Sequence, residues 1–143
     1  MKTFKQDRYF LVILVLFFHS FCVNGEHFVL VHGALHGAWC WYKVVNQLKS
    51  EGHNVTTLDL AASGISPKQV VQEVNSFSEY NEPLIAFMAS LPPEEKVILV
   101  GHSLGGLSVS VAMEKYPEKI TAAVFITAIV VSQNLTYLGY LQE

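Results

Sequence analysis

Lys96-Val97-Ile98-Leu99-Val100-Gly101-His102-Ser103-Leu104-Gly105 runs from an unbroken apolar segment straight into the pattern Gly-x-Ser-x-Gly. The first half reads as a strand over about 96–100, apolar on both faces and therefore covered on both. Helical sequence follows over about 104–116 and stops at Pro117. Upstream, His27-Phe28-Val29-Leu30-Val31 is a second short apolar run and ends at His32-Gly33, again a buried strand. Trp41, Val44, Val45 and Leu48 recur at helical spacing and Gly52 supplies a stop, which predicts a helix over about 38–51. Residues 55–60 read as another strand, closed by Ala61-Ala62-Ser63-Gly64. Ser66-Pro67 opens helical sequence by the cap and first-turn proline rule, and Leu84, Phe87, Met88 and Leu91 carry it on to Pro92-Pro93. Downstream, a last strand covers about 120–126, and 132–143 reads as a frayed tail. Strands that alternate with helices and lack polar alternation imply an α/β domain, a parallel sheet with helices on both faces.

The chain has 143 residues, the length of one domain, and is 51% hydrophobic with 15% charged residues, which excludes disorder. Net charge is −3 with no basic block, so nucleic acid is not an expected partner. The N-terminus carries Lys2, Lys5 and Arg8, then an apolar run from Phe10 to Phe18, then His19-Ser20-Phe21-Cys22-Val23-Asn24-Gly25. That is the anatomy of a secretory signal, expected over 1–25 with a mature start near Glu26. The run falls short of the ~20 apolar residues of a spanning helix, so no stable membrane insertion is expected after cleavage. The expected route is secretory; it becomes cytoplasmic if this segment does not act as a signal. Cleavage would remove Cys22 and leave Cys40 alone, as a small buried hydrophobe rather than a catalytic thiol. Asn54-Val55-Thr56 and Asn134-Leu135-Thr136 are glycosylation sequons on that route.

A Gly-x-Ser-x-Gly match arises by chance in about one chain in twenty of this length, taking Gly and Ser at ~7% each. Its position between strand and helix is what gives it weight. A serine on such a turn takes a strained backbone conformation while strand and helix pass close together, so Gly101 and Gly105 are glycines for steric reasons. The strain lifts the Ser103 hydroxyl above the C-terminal edge of the sheet, where it is the candidate nucleophile. A hydroxyl needs a base, and its tetrahedral adduct needs donors for the oxyanion. The amide of Leu104, at a helix N-terminus, is one candidate donor. The loop His32-Gly33-Ala34-Leu35-His36-Gly37 supplies the other, the amide of Ala34.

At these residues the chain resembles the plant methylesterases related to hydroxynitrile lyases. The likeness rests on 27–34, on His36-Gly37-Ala38-Trp39, on 58–64, on 95–106 and on Ala112-Met113-Glu114-Lys115-Tyr116-Pro117. The resemblance spans about 27–127. It implies an α/β-hydrolase-type sheet and a hydrolase of methyl esters of small acids such as salicylate, jasmonate or indole-acetate. It implies no metal and no organic cofactor. Lyases of the same family tend to carry Thr where Gly33 stands and an acid where His102 stands, so the cyanohydrin lyase is the distant alternative.

The chain also departs from that pattern. A full triad in this fold continues from Ser to an acid and then a histidine, yet after Ser103 the sequence holds no His and no Asp; its acids there are Glu114, Glu118 and Glu143. Glu114 and Glu118 flank a helix end and are expected in solvent. Upstream, His102 is next to Ser103, where side chains diverge, and His32 and His36 suit polar packing better than base catalysis. The family's 58–64 segment looks structural, Asp59 included. Ile129-Val130-Val131 stands in place of an aromatic-Met-Pro run, which puts one pocket wall in doubt. Residues 26–143 therefore read as a partial domain, truncated after the strand that follows the nucleophile helix, with a weak activity of its own. The missing groups keep a second reading open, a non-catalytic binding or interaction protein.

Overall fold

The computed structural model describes residues 25–67 and 74–130. Four parallel strands form one sheet in the order β2-β1-β3-β4: β1 (His27–Val31), β2 (Asn54–Leu58), β3 (Val97–His102) and β4 (Ile120–Ile126). Between them lie α1 (Tyr42–Ser50), α2 (Phe77–Ser90) and α3 (Gly105–Lys115). The first and last strands coincide with the apolar runs that predict them. The signal segment, Cys22, the tail and Asn134 lie outside the described residues, whereas Asn54 is exposed at the start of β2.

The period of two in a strand divides the core into two layers. Val29 and Val31 of β1, with Val97 and Leu99 of β3, face Leu84 and Met88 of α2 and Val109 and Ala112 of α3. Leu30 and Val100 face the other way, onto Trp41, with Val45 and Leu48 of α1 packed around them. Helices thus cover both faces, which is why β1 and β3 are apolar without alternation. Cys40 lies half-buried in the second layer, where burial pushes its thiol up.

Three boundaries differ from the sequence reading. The segment before α1 is a separate three-ten turn, Ala38–Trp41, because Asp59 accepts from the Ala38 amide at 2.6 Å and fixes its start. Strand β2 runs 54–58 rather than 55–60; the Asn54 amide pairs with Glu26 O, and Leu60 gives its amide to a side chain. The helical sequence expected from Ser66 onward lies over 68–73 outside the described residues; residues 74–76 are not helical, and α2 begins at Phe77. Ser66 N–H closes a turn onto Ser63 O, while Ser76 caps α2 by accepting from Glu79 N at 3.1 Å. The signal for that start is present as Ser76-x-x-Glu79, a capping box.

Candidate active site

The four strands end at one edge, and the loops leaving β1 and β3 hold Ala34, Ser103 and Leu104. Ser103 follows β3 directly with φ 53°, in the left-handed region that a serine rarely occupies. Its amide donates to Ile126 O at 3.3 Å, and its carbonyl accepts from Gly106 N at 3.1 Å and Ile129 N at 3.0 Å. The close passage of strand and helix requires the two glycines. A Cβ on Gly101 would stand 2.9 Å from Gly105 O, and one on Gly105 would stand 2.6 Å from His32 O and 2.7 Å from Val31 O.

Opposite the turn, Gly33 packs so closely that an added Cβ would meet Ser103 Cβ at 2.9 Å and His102 Nδ1 at 3.0 Å. The Gly33 carbonyl is held by His32 Nδ1 at 2.8 Å and by His36 N at 3.3 Å. A trans peptide points its carbonyl and its N–H in opposite directions. The peptide 33–34 therefore turns the Ala34 N–H away from His32, as the tethered Ser103 carbonyl turns the Leu104 N–H out of the helix. Among the described residues neither amide has an acceptor, and Ala34 and Leu104 line the same cavity, of about 660 Å³. Trp39, Phe77, Tyr80 and the exposed Leu35 complete much of its wall. Sequence reasoning missed these wall residues, which come from two separate segments, 35–39 and 77–80, and carry no common motif. Burial also pushes the Tyr80 phenol up, against the lowering effect of its bond with Ser63.

The histidines occupy other posts. His32 is fully buried: Nε2 accepts from Leu60 N at 3.1 Å, and Nδ1 donates to Gly33 O. Burial lowers its pKa; the Gly33 bond and Asp59 pull the other way, and His36 adds to the lowering. His36 donates from Nδ1 to Ala34 O at 2.8 Å and stacks on Trp39. His102 turns edge-on to Trp41 and His36, into a small separate cavity. His27 and His53 sit at the opposite edge of the sheet, His27 joining Glu95 at 2.6 Å to Thr56 at 2.8 Å. Among the described residues, none of these rings hydrogen-bonds Ser103 Oγ. Asp59 serves the backbone, accepting from Ala38 N and from Ile65 N at 3.2 Å. Glu114 and Glu118 are exposed, and no group of three His, Cys, Asp or Glu among the described residues could hold a metal ion.

A serine on a strand–turn–helix elbow, at the C-terminal edge of a parallel sheet and facing a loop with a free amide, defines a class of protein. A family model for the alpha/beta hydrolase fold matches residues 26–140, and the chain belongs to that family. Within it the relatives are plant methylesterases and proteins akin to them. The chain is 65% identical to methyl jasmonate esterase 1 of Vitis vinifera over 103 residues, 72% of this chain and 39% of that protein. It is 58% identical to methylesterase 2 of Arabidopsis thaliana over the same length and the same shares. Among solved structures, tomato methylketone synthase I complexed with 2-tridecanone superposes with a TM-score of 0.79 at 56% identity. That match covers 82% of this chain and 45% of the synthase. The chain thus spans about two fifths of the length of the curated relatives it matches.

Proposed function

We propose that this chain carries the nucleophile and the oxyanion donors of a carboxylic-ester hydrolase of the methylesterase kind. The observation that carries the reading is the pair of peptide units, 33–34 and 103–104. Each is tied down by two hydrogen bonds at its carbonyl, and among the described residues its N–H, beside Ser103, has no acceptor. Ser103 Oγ would attack the ester carbonyl, and the amides of Ala34 and Leu104 would hold the charge that develops on oxygen, where a single donor is worth about 3–4 kcal/mol. The aromatic wall of Trp39, Phe77 and Tyr80 suits the acid half of a small aromatic or cyclic ester, such as a salicylate, jasmonate or indole-acetate methyl ester. Gly33 and His102 speak against the lyase alternative, since the family's lyases tend to carry Thr and an acid at those places.

No described imidazole reaches Ser103 Oγ, so the proton has no acceptor of the usual kind. The 143-residue chain alone would then show only the residual rate that binding and an oxyanion hole provide, about 10³–10⁴ over water. The same observation favours the second reading, a binding protein without turnover. The test compares hydrolysis of p-nitrophenyl acetate and of the three methyl esters by wild type and Ser103→Ala. A weak rate above buffer is expected, nearly equal in the two proteins, because a serine without a base adds little to what binding and the amides provide. A rate no higher than buffer in either protein would remove the oxyanion-donor assignment, and fast, Ser103-dependent methyl-ester turnover would remove the claim that a base is lacking.

A further inference from the structure

His32 has no part in the proton chemistry above, yet it is wholly buried and spends both ring nitrogens on backbone. An amide N–H can only donate, so Leu60 N fixes Nε2 as the acceptor and the ring proton on Nδ1. Nδ1 donates that proton to Gly33 O with an N···O distance of 2.8 Å, while the other donor to this carbonyl, His36 N, stands off at 3.3 Å. The shorter bond sets the plane of the peptide 33–34, and that plane sets the direction of the Ala34 N–H.

We propose that His32 is the positioning residue of the Ala34 oxyanion donor: its Nδ1–H locks the Gly33 carbonyl back, and so aims the Ala34 amide into the cavity that Leu104 also lines. Leu60, 28 residues along, holds the ring in the tautomer that makes this possible. The inference rests on the ester-hydrolase reading for its catalytic meaning, and on geometry alone for the peptide. A purely structural histidine would matter through Leu60, by joining the loop after β2 to the end of β1. The two roles separate chemically. Asparagine places an amide nitrogen where Nδ1 stands and keeps the bond to Gly33 O; glutamine places its amide oxygen where Nε2 stands and keeps the bond from Leu60 N.

The experiment measures hydrolysis of p-nitrophenyl acetate above the buffer rate by the chain and by its His32→Asn and His32→Gln variants. The Ala34 amide resonance is followed in each. His32→Asn should keep kcat within about threefold, while His32→Gln should lower kcat about tenfold or more at unchanged KM, as a misaimed donor does. The Ala34 amide should shift in His32→Gln and hold in His32→Asn. The reverse order, or equal losses, overturns the proposal. If wild type does not exceed the buffer rate, the hydrolase reading fails and the amide shifts alone decide the positioning role. If His32→Gln does not fold, the ring nitrogen spectrum of wild type decides, and a proton on Nε2 overturns it.

Discussion

Gly105→Ala tests the crossing on which the elbow depends. Ordinary contact begins at 3.4 Å, and the new Cβ would stand 2.6 Å from His32 O, so α3 must retreat from β1 by about 3.4 − 2.6 = 0.8 Å. Both obstacles, His32 O and Val31 O, are backbone, so no rotamer can relieve them. The retreat also opens a gap along Leu107, Val109 and Ala112, and a gap of that size forfeits a quarter to a half of each dispersion contact. Overpacking costs about 1–3 kcal/mol, and alanine returns less than about 1 kcal/mol in propensity at a first helical residue. A net loss of about 2 kcal/mol follows. Urea unfolding, read by the fluorescence of Trp39 and Trp41, measures it, with Gly52→Ala as the reference. Gly52 has φ 88° and nothing within 4 Å, so alanine there bears only the backbone cost, about 1 kcal/mol. A Gly105→Ala midpoint at or above that of Gly52→Ala would refute the steric account.

Two further outcomes follow from single residues. Burial keeps His32 neutral in the folded chain, whereas unfolded it protonates near its ordinary value of 6.5. The unfolded state thus binds more protons below that point; stability should be level above about pH 6.5 and fall as pH drops beneath it. Urea midpoints from pH 8 to 5 check this, and a slope there that survives in His32→Asn would assign the effect elsewhere. Leu35, 97% exposed at φ 61°, contributes almost no buried area. Leu35→Gly should therefore change stability by less than about 1 kcal/mol, yet weaken the binding of a small aromatic acid in the cavity it lines; calorimetric titration with salicylate, alongside a melt, separates the two.

The elbow was legible because its steric demand is local. Two glycines four residues apart, after Val97-Ile98-Leu99-Val100 and before a helix, state the close passage within ten residues of chain. Strands β1 and β4 were legible for the same reason, since their apolar runs end where their ladders end. The break before α2 was missed, since the reading ran one helix from Ser66 to Pro92 past the Ser76–Glu79 box that caps α2; residues 68–73 lie outside the described ones. Strand β2 was read too long because Asp59 and Leu60 look like strand residues but leave the ladder to bind loops. The double tether of His32 was invisible, as its partners lie one and 28 residues away and no pattern links them.

Strain explains why the rest of the site could not be read from residue types. The four non-glycine residues at positive φ among those described are Leu35, Ala62, Ser103 and Thr127. Each lies in the loop that leaves the C-terminal end of one strand, β1 through β4 in order. Such conformations cost about 1–3 kcal/mol apiece and persist only where surrounding bonds over-determine them. Here the bonds are visible. His36 N closes onto Gly33 O around Leu35, Ser63 N onto Leu60 O around Ala62, and Ser103 is held at both its amide and its carbonyl. Glycine or asparagine would relieve the cost at any of these positions. None is used, and the opposite edge of the sheet carries no described non-glycine strain of this kind. Stability alone would not gather strain on one edge of a parallel sheet. A ligand site would, because open α/β sheets bind where their strands end, and the strained loops here bring the Ser103 hydroxyl and the amides of Ala34 and Leu104 to that edge, where none has a hydrogen-bond partner among the described residues.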